Sequence, residues 1–100
     1  MVDFKKIIGF EWDEGNSQKN HKKHGVTQGE AEELFFNDPL LIVEDSKHSL
    51  QESRFLALGK SNSGILLTAI FTLRSKQTLI RVISIRPMSK RERKHYEQAD

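Results

Sequence analysis

Four runs of strand-forming residues follow one another through the second half of the chain. They are Leu40 to Glu44, Arg54 to Gly59, Ile65 to Leu73 and Leu79 to Ile85. Polar clusters such as residues 61–64 and 74–77 separate them, and clusters of this length are typical of hairpins. Because strands joined by short turns pair with their neighbours, the pattern predicts an antiparallel meander.

One further strand and a polar helix are predicted before the meander. Residues Ile7 to Trp12 read as a strand that is closed by a polar cluster at residues 13–16. Asn16 or Ser17 can cap a short surface helix that runs through Lys23. Gly25 follows it, at the position where a left-handed residue commonly ends a helix.

Two more helices are marked by the spacing of a capping box. Thr27 precedes Glu30 by three residues, and Ala31 and Leu34 continue with helical apolar spacing. Ser89 precedes Glu92 in the same way and predicts a last helix that reaches about residue 98. The predicted order is therefore β-α-α-β-β-β-β-α, an α+β domain whose helices pack on one face of a curved antiparallel sheet.

The size and composition of the chain favour one intracellular domain. Its 100 residues, 36% of them hydrophobic, suit a single core, so we expect one domain over residues 1–100. Cysteine is absent, which agrees with a reducing compartment. The longest apolar run, Ile65 to Phe71, is far shorter than the roughly 20 residues of a membrane span. We expect a cytoplasmic protein with no membrane partner.

Basic residues cluster at the end of the chain although the formal net charge is only +2. Between Arg81 and Tyr96 one residue is acidic and six are basic: Arg81, Arg86, Lys90, Arg91, Arg93 and Lys94. By contrast, the stretch from Gln28 to Glu52 has seven acidic residues and one lysine. Such a distribution predicts a surface with two signs of charge and a cationic region suited to phosphate.

Several common catalytic and cofactor motifs are absent. Gly59, Lys60 and Ser61 resemble the end of a phosphate-binding loop, but Arg54 stands where its first glycine is needed and a strand follows instead of a helix. The four histidines have no carboxylates at metal-ligand spacing, and the chain has no nucleophile elbow. We therefore predict neither a metal site nor a cofactor.

The remaining chemistry is that of phosphate. Cleaving RNA without a metal requires a base for the 2′-hydroxyl, an acid for the leaving 5′-oxygen and fixed cations for the charged transition state. Suitable side chains occur in three places: Lys23 with His24, Glu52 with Arg54, and Arg81 with Arg86. A solvated basic face explains the same residues without any catalysis.

Strand geometry restricts how the arginines can cooperate. In a regular strand Arg81 and Arg86 point to opposite faces, because side chains alternate. The two can share a groove only if a bulge or the end of the strand re-aims one of them, and Arg86 beside Pro87 is the expected place. Otherwise Arg81 belongs at a rim or in a buried ion pair with a carboxylate.

The sequence resembles the BrnT family of bacterial toxins over most of its length. The matching residues are Phe10 to Glu14, Asn20, Lys23 to Val26, Ala31 to Phe35, His48, Glu52 to Arg54, Ala57 to Gly59, Arg81 to Arg86, Glu92, Arg93 and Tyr96. The resemblance implies a small ribonuclease with a RelE-like fold. It also implies an antitoxin partner of the BrnA type, whose ribbon-helix-helix domain binds DNA, so that the toxin meets DNA only through its antitoxin.

Together these observations favour a metal-independent endoribonuclease toxin that cuts mRNA by 2′-hydroxyl attack. The predicted catalytic residues are Lys23, His24, Glu52, Arg54, Arg81 and Arg86, the arginines as phosphate and transition-state stabilisers and the others as acid–base candidates. Lys22, Lys90 and Arg91 are predicted RNA contacts. The alternative is a degenerate family member that binds RNA or an antitoxin without cutting.

Overall fold

The computed structural model describes residues 2–15, 23–45 and 52–98. Its strands and helices are β1 Gly9–Glu11, α1 Gln28–Glu33, β2 Leu41–Asp45, β3 Arg54–Lys60, β4 Leu66–Arg74, β5 Leu79–Pro87 and α2 Lys90–Gln98. A 3-10 turn at Phe4–Lys6 precedes β1, and another at Leu34–Phe36 continues α1. The four predicted strand runs are confirmed, while the first strand is shorter than Ile7 to Trp12.

The five strands form one sheet in the order β1-β5-β4-β3-β2. Strands β2 to β5 pair as the predicted antiparallel meander. β1 instead lies parallel to β5, with Gly9 opposite Leu79 and Glu11 opposite Arg81. The sheet is therefore mixed. β1 forms one edge of it and β2, the next strand in the chain, forms the other.

Helix α1 covers one face of the sheet. Its capping box is formed, since the Thr27 hydroxyl accepts from the Glu30 amide and the Glu30 carboxylate accepts from the Thr27 amide. Leu34 follows α1 and packs so closely on β3 that a Cβ at Gly59 would lie 3.3 Å from it. This side, the core face, carries the largest buried cluster: Val26, Ala31, Leu34, Phe55, Ala57, Leu67, Ala69, Phe71, Ile80, Val82 and Ile85.

Helix α2 packs on the opposite face, so the prediction that the helices share one face is wrong. Its buried residue, Tyr96, joins Leu58 and Met88 in a separate cluster, and the Tyr96 hydroxyl donates to the Pro39 carbonyl at 2.6 Å. Leu58 alternates with Ala57 along β3 and so points away from α1. The apolar positions of β3 on both faces each require a covering helix.

The predicted polar helix falls largely outside the described residues, since residues 16–22 are not among them. On either side, Glu14 and Gly15 and then Lys23 and His24 are helical. Gly25 has φ of 70°, the left-handed conformation expected of it. Within the described ranges, no helix has the length and apolarity that a membrane crossing needs.

Candidate functional site

A row of polar side chains crosses all five strands on the face opposite α1. The register places Arg54 of β3 opposite Thr72 of β4, and Thr72 opposite Arg81 of β5. Asp45 lies beyond Arg54, and Glu11 beyond Arg81. Since neighbouring strands are about 4.8 Å apart, the Cα atoms of the two arginines are separated by about 10 Å. We call these five residues the arginine row.

A β-bulge brings Arg81 and Arg86 to the same face. Ile70 pairs with Ser84 and Phe71 with Val82, so Ile83 is an extra residue in β5. The insertion shifts the alternation by one position. Arg81 then pairs with Thr72 and Arg86 with Thr68, two β4 residues that face the same way. The bulge lies in the middle of β5 and not at Arg86, where the sequence led us to expect it.

Two carboxylates hold the Arg81 side chain. Its guanidinium donates to Glu11 Oε1 at 2.7 Å and to Asp13 Oδ2 at 3.4 Å. The Arg81 side chain is 23% exposed, against 37% for Glu11 and 46% for Asp13. An ion pair this exposed adds at most about 1 kcal/mol to stability. Its main effect is therefore to fix where the guanidinium lies. The sequence left a rim position and a buried ion pair open for Arg81, and the structure shows an ion pair that is partly exposed.

A polar cavity lies where β3 begins, beside Thr72 of the row. It has a volume of about 270 Å³ and is lined by Glu52, Ser53 and Thr72, and also by Glu44, Phe55, Leu73 and Gln77, of which Glu44 and Phe55 point to the core face. The Thr72 hydroxyl donates to the Ser53 carbonyl at 2.7 Å, and Glu52 lies 3.6 Å from the guanidinium of Arg74. The structure thus brings three predicted residues, Glu52, Arg54 and Arg81, around the central Thr72.

Lys23 and His24 lie just before Gly25, where the chain enters the core at Val26. Lys23 is exposed and His24 is half-buried. Among the residues that the structure describes, no hydrogen bond or ion pair links either side chain to the arginine row. Lys22, a predicted RNA contact, lies outside the described residues.

Arg86 is held in a different interaction from Arg81. Its guanidinium binds both carboxylate oxygens of Glu92 in α2, at 2.6 and 2.9 Å. Glu92 also accepts from the Thr68 hydroxyl at 3.0 Å and from the Ser89 amide at 2.9 Å. The hydrogen bond from Arg86, with the other donors, lowers the pKa of Glu92 to about 2, and the same bond raises the pKa of Arg86. This arrangement ties α2 to the sheet.

The predicted RNA contacts Lys90 and Arg91 are exposed in the first turn of α2. They lie beyond the Arg86–Glu92 pair, on the element that adjoins the row's face of the sheet. Over residues 2–15, 23–45 and 52–98, no cluster of three or more histidine and acidic side chains has the arrangement of a metal site.

Sequence reasoning missed Glu11, Asp45 and Thr72 of the row, and Asp13, which contacts Arg81. Their positions depend on the pairing of β1 with β5, which joins residues about 70 positions apart, and on the register of β2, β3 and β4. The alternation of Glu11 and Asp13 around Trp12 was a usable signal, because it places two carboxylates on one side of an edge strand.

The fold and the row define a small α+β protein whose sheet face opposite α1 carries two arginines, Arg54 and Arg81, among the carboxylates of Glu11 and Asp45. The chain belongs to the family of BrnT ribonuclease toxins of type II toxin–antitoxin systems, whose model matches residues 12–92. It is similar to the crystal structure of the Brucella abortus ribonuclease toxin BrnT at 1.1 Å resolution. The TM-score is 0.63 and the identity 26%, covering 83% of this chain and 99% of that chain. No curated protein matches the sequence.

Proposed function

We propose that the chain is a metal-independent endoribonuclease that cuts mRNA by attack of a 2′-hydroxyl on the adjacent phosphate. The family supplies the ribonuclease class, RNA as the target and an antitoxin as the partner. The observation that carries the proposal is the arginine row, in which Arg54 and Arg81 stand on one sheet face with one residue between them.

The two arginines suit a phosphorane, whose equatorial oxygens carry the extra charge of the transition state. Guanidinium groups bind phosphate oxygens in a planar, two-pronged geometry. Arg81 is oriented in advance by Glu11 and Asp13, which limits the reorganisation needed when RNA binds. Arg86 is assigned an indirect part, because its two short hydrogen bonds to Glu92, at 2.6 and 2.9 Å, tie α2 to the sheet, whereas the second contact of Arg81, to Asp13, is longer at 3.4 Å.

The proton transfers are assigned to Glu52, His24 and Lys23. Glu52 lines the cavity that includes Thr72, so it is the acid–base candidate placed beside the row. His24 and Lys23 lie in the segment before Gly25, and imidazole and amine groups can both take up and donate protons. One of these groups takes the 2′-hydroxyl proton and another donates to the leaving 5′-oxygen.

The partner is proposed to be an antitoxin of the BrnA type with a ribbon-helix-helix domain. In that arrangement the antitoxin supplies all contacts with DNA, and the toxin acts on RNA in the cytoplasm. The resemblance of residues Phe10 to Tyr96 to BrnT toxins supports this assignment.

Cleavage of a long RNA in EDTA tests the proposal. The parent chain is expected to leave 2′,3′-cyclic phosphate ends, and Arg54→Ala and Arg81→Ala are each expected to lower the rate about 10²-fold, as for loss of an electrostatic stabiliser. Arg93→Ala, an exposed arginine of α2 outside the row, is the matched control. Circular dichroism verifies that each variant is folded.

Two results contradict the proposal. Cleavage that stops in EDTA and returns with Mg²⁺ removes the metal-independent mechanism. Parent-like cleavage by folded Arg54→Ala and Arg81→Ala chains removes the arginine row as the site while leaving ribonuclease activity intact. A third result, retention of RNA at low salt without any cleaved product, supports the alternative, a degenerate family member that binds RNA without cutting it.

A further inference from the structure

Three exposed apolar side chains line one groove at the β1 edge of the sheet. Ile8 is 81% exposed, Phe36 77% and Phe4 39%, and the groove has a volume of about 400 Å³. Phe10 and Phe35 form its floor, with ring centroids 5.5 Å apart. Large apolar side chains that are exposed together in this way mark an interaction surface.

This groove is separate from the arginine row. Phe10 and Phe35 pack against the buried cluster of the core face, whereas Arg54 and Arg81 lie on the opposite face. Among the residues that the structure describes, no charged side chain lines the groove. It therefore suits an apolar polypeptide segment and does not suit RNA.

The size of the groove favours one segment of a partner over a second copy of this chain. A large aromatic side chain buries about 150–250 Å², so Phe4, Ile8 and Phe36 together offer a few hundred Å². A stable interface between two subunits needs about 800 Å² from each. One amphipathic helix or one added strand, with two or three apolar anchors, matches the available area.

Charge gives the segment a direction. Lys5 and Lys6 are exposed in the 3-10 turn beside Phe4, at one end of the groove, and the nearby Asp3 carboxylate caps the Lys5 amide. An acidic residue in the partner is favoured at that end. Membership of a type II toxin–antitoxin family supplies the partner, since such a toxin is neutralised by an antitoxin.

We propose that the groove formed by Phe4, Ile8, Phe10, Phe35 and Phe36 anchors an apolar segment of the antitoxin, with an acidic residue near Lys5 and Lys6. The anchored segment lies along β1, which also carries Glu11, the partner of Arg81. An antitoxin held there reaches the arginine row around the β1 edge.

The test is a titration of the chain with its purified cognate antitoxin by calorimetry. Ile8→Ser and Phe36→Ser are each expected to raise Kd at least tenfold, as for the loss of an interface anchor. The double change Lys5→Glu with Lys6→Glu is expected to raise Kd and to slow association. Ile65→Ser is the control, because Ile65 is 48% exposed and lies outside the groove.

Antitoxin affinity that is unchanged in both serine variants overturns the proposal. The proposal is also overturned if the parent chain self-associates in sedimentation, the serine variants do not, and both bind the antitoxin equally well. The groove is then a contact between two copies of the chain. The inference rests on the toxin–antitoxin family and not on the proposed reaction. RNA cleavage by the free serine variants is expected to equal that of the parent, so a failure of either idea is visible separately.

Discussion

Arg81 combines a structural contact with a proposed functional role in one side chain. Its ion pair with Glu11 and its longer contact with Asp13 are partly exposed, so they contribute little to stability. They do hold the guanidinium in one orientation, next to Thr72 and two strands from Arg54. The sequence alone left Arg81 open to either a structural or a functional interpretation, and in this geometry the two are compatible.

Glu11→Gln is expected to lower kcat of RNA cleavage about tenfold without raising KM. The amide keeps the size of the side chain but binds the guanidinium less firmly, so Arg81 is less well oriented in the transition state. Its positive charge, now less neutralised, still attracts phosphate. Steady-state kinetics on a short RNA measure both constants, and Glu14→Gln, an exposed neighbour, is the control.

A rise in KM at constant kcat has the opposite meaning. It shows that Glu11 contributes equally to substrate and transition-state binding and does not position Arg81 for the chemical step.

At the scale of elements, the carboxylate of Glu92 connects the first turn of helix α2 to two strands of the sheet. Glu92 completes the capping box with Ser89 and also accepts from Arg86 of β5 and Thr68 of β4. One side chain therefore caps the N-terminus of α2 and also binds the helix to the sheet. Arg86 lies close to the row, but both of its terminal nitrogens donate to Glu92 and so serve to attach α2.

Glu92→Gln is expected to lower the free energy of unfolding by about 1–2 kcal/mol at pH 7, since charge-assisted hydrogen bonds are lost from a partly exposed site. The pKa of Glu92 is lowered from 4.5 to about 2 in the folded state. The stabilisation is therefore complete above about pH 4.5 and is lost as pH falls towards 2. Denaturant unfolding at pH 7, 4 and 3 is expected to show the gap between parent and variant narrowing.

The exposed Glu97 of the same helix provides the matched substitution, Glu97→Gln. A gap between parent and Glu92→Gln that stays constant from pH 7 to pH 3 contradicts the ionised carboxylate as the anchor.

Elements encoded by local sequence were the predictable ones. Both capping boxes, at Thr27 and Ser89, form as their spacing indicates, and the meander follows from its short breaks. The bulge at Ile83 and the parallel pairing of β1 were not predictable, because each depends on partners distant in the chain. The arginine row inherits that difficulty: two of its five residues, Arg54 and Arg81, were named from the sequence, and the arrangement of all five depends on long-range register.

At the scale of the whole molecule, the two sheet faces differ in the helix that covers them and in the side chains that they carry. The core face is covered by α1 and ends in the apolar groove at β1. The other face carries the arginine row and is flanked by α2, whose first turn exposes Lys90 and Arg91. The proposed RNA binding therefore does not require a large net charge, because Arg54, Arg81, Lys90 and Arg91 lie on one side of the sheet although the chain carries only +2.

The double variant Lys90→Ala with Arg91→Ala is expected to bind single-stranded RNA more weakly and with less salt dependence. Each phosphate contact on a single strand contributes roughly 0.7 to the slope of log K against log salt, so losing two contacts reduces the slope by about 1.4. Filter binding across a series of salt concentrations measures it. The cleavage rate at saturating RNA is expected to stay at the parent value, since these residues lie outside the row.

Lys5→Ala with Lys6→Ala removes the same charge beside the apolar groove and is expected to leave the slope nearly unchanged. Equal losses of slope in the two double variants mean that RNA responds to the overall charge of the protein, and the assignment of Lys90 and Arg91 as contacts is then wrong. A loss confined to the α2 variant places the RNA strand across the face that holds Arg54 and Arg81, because α2 adjoins that face alone.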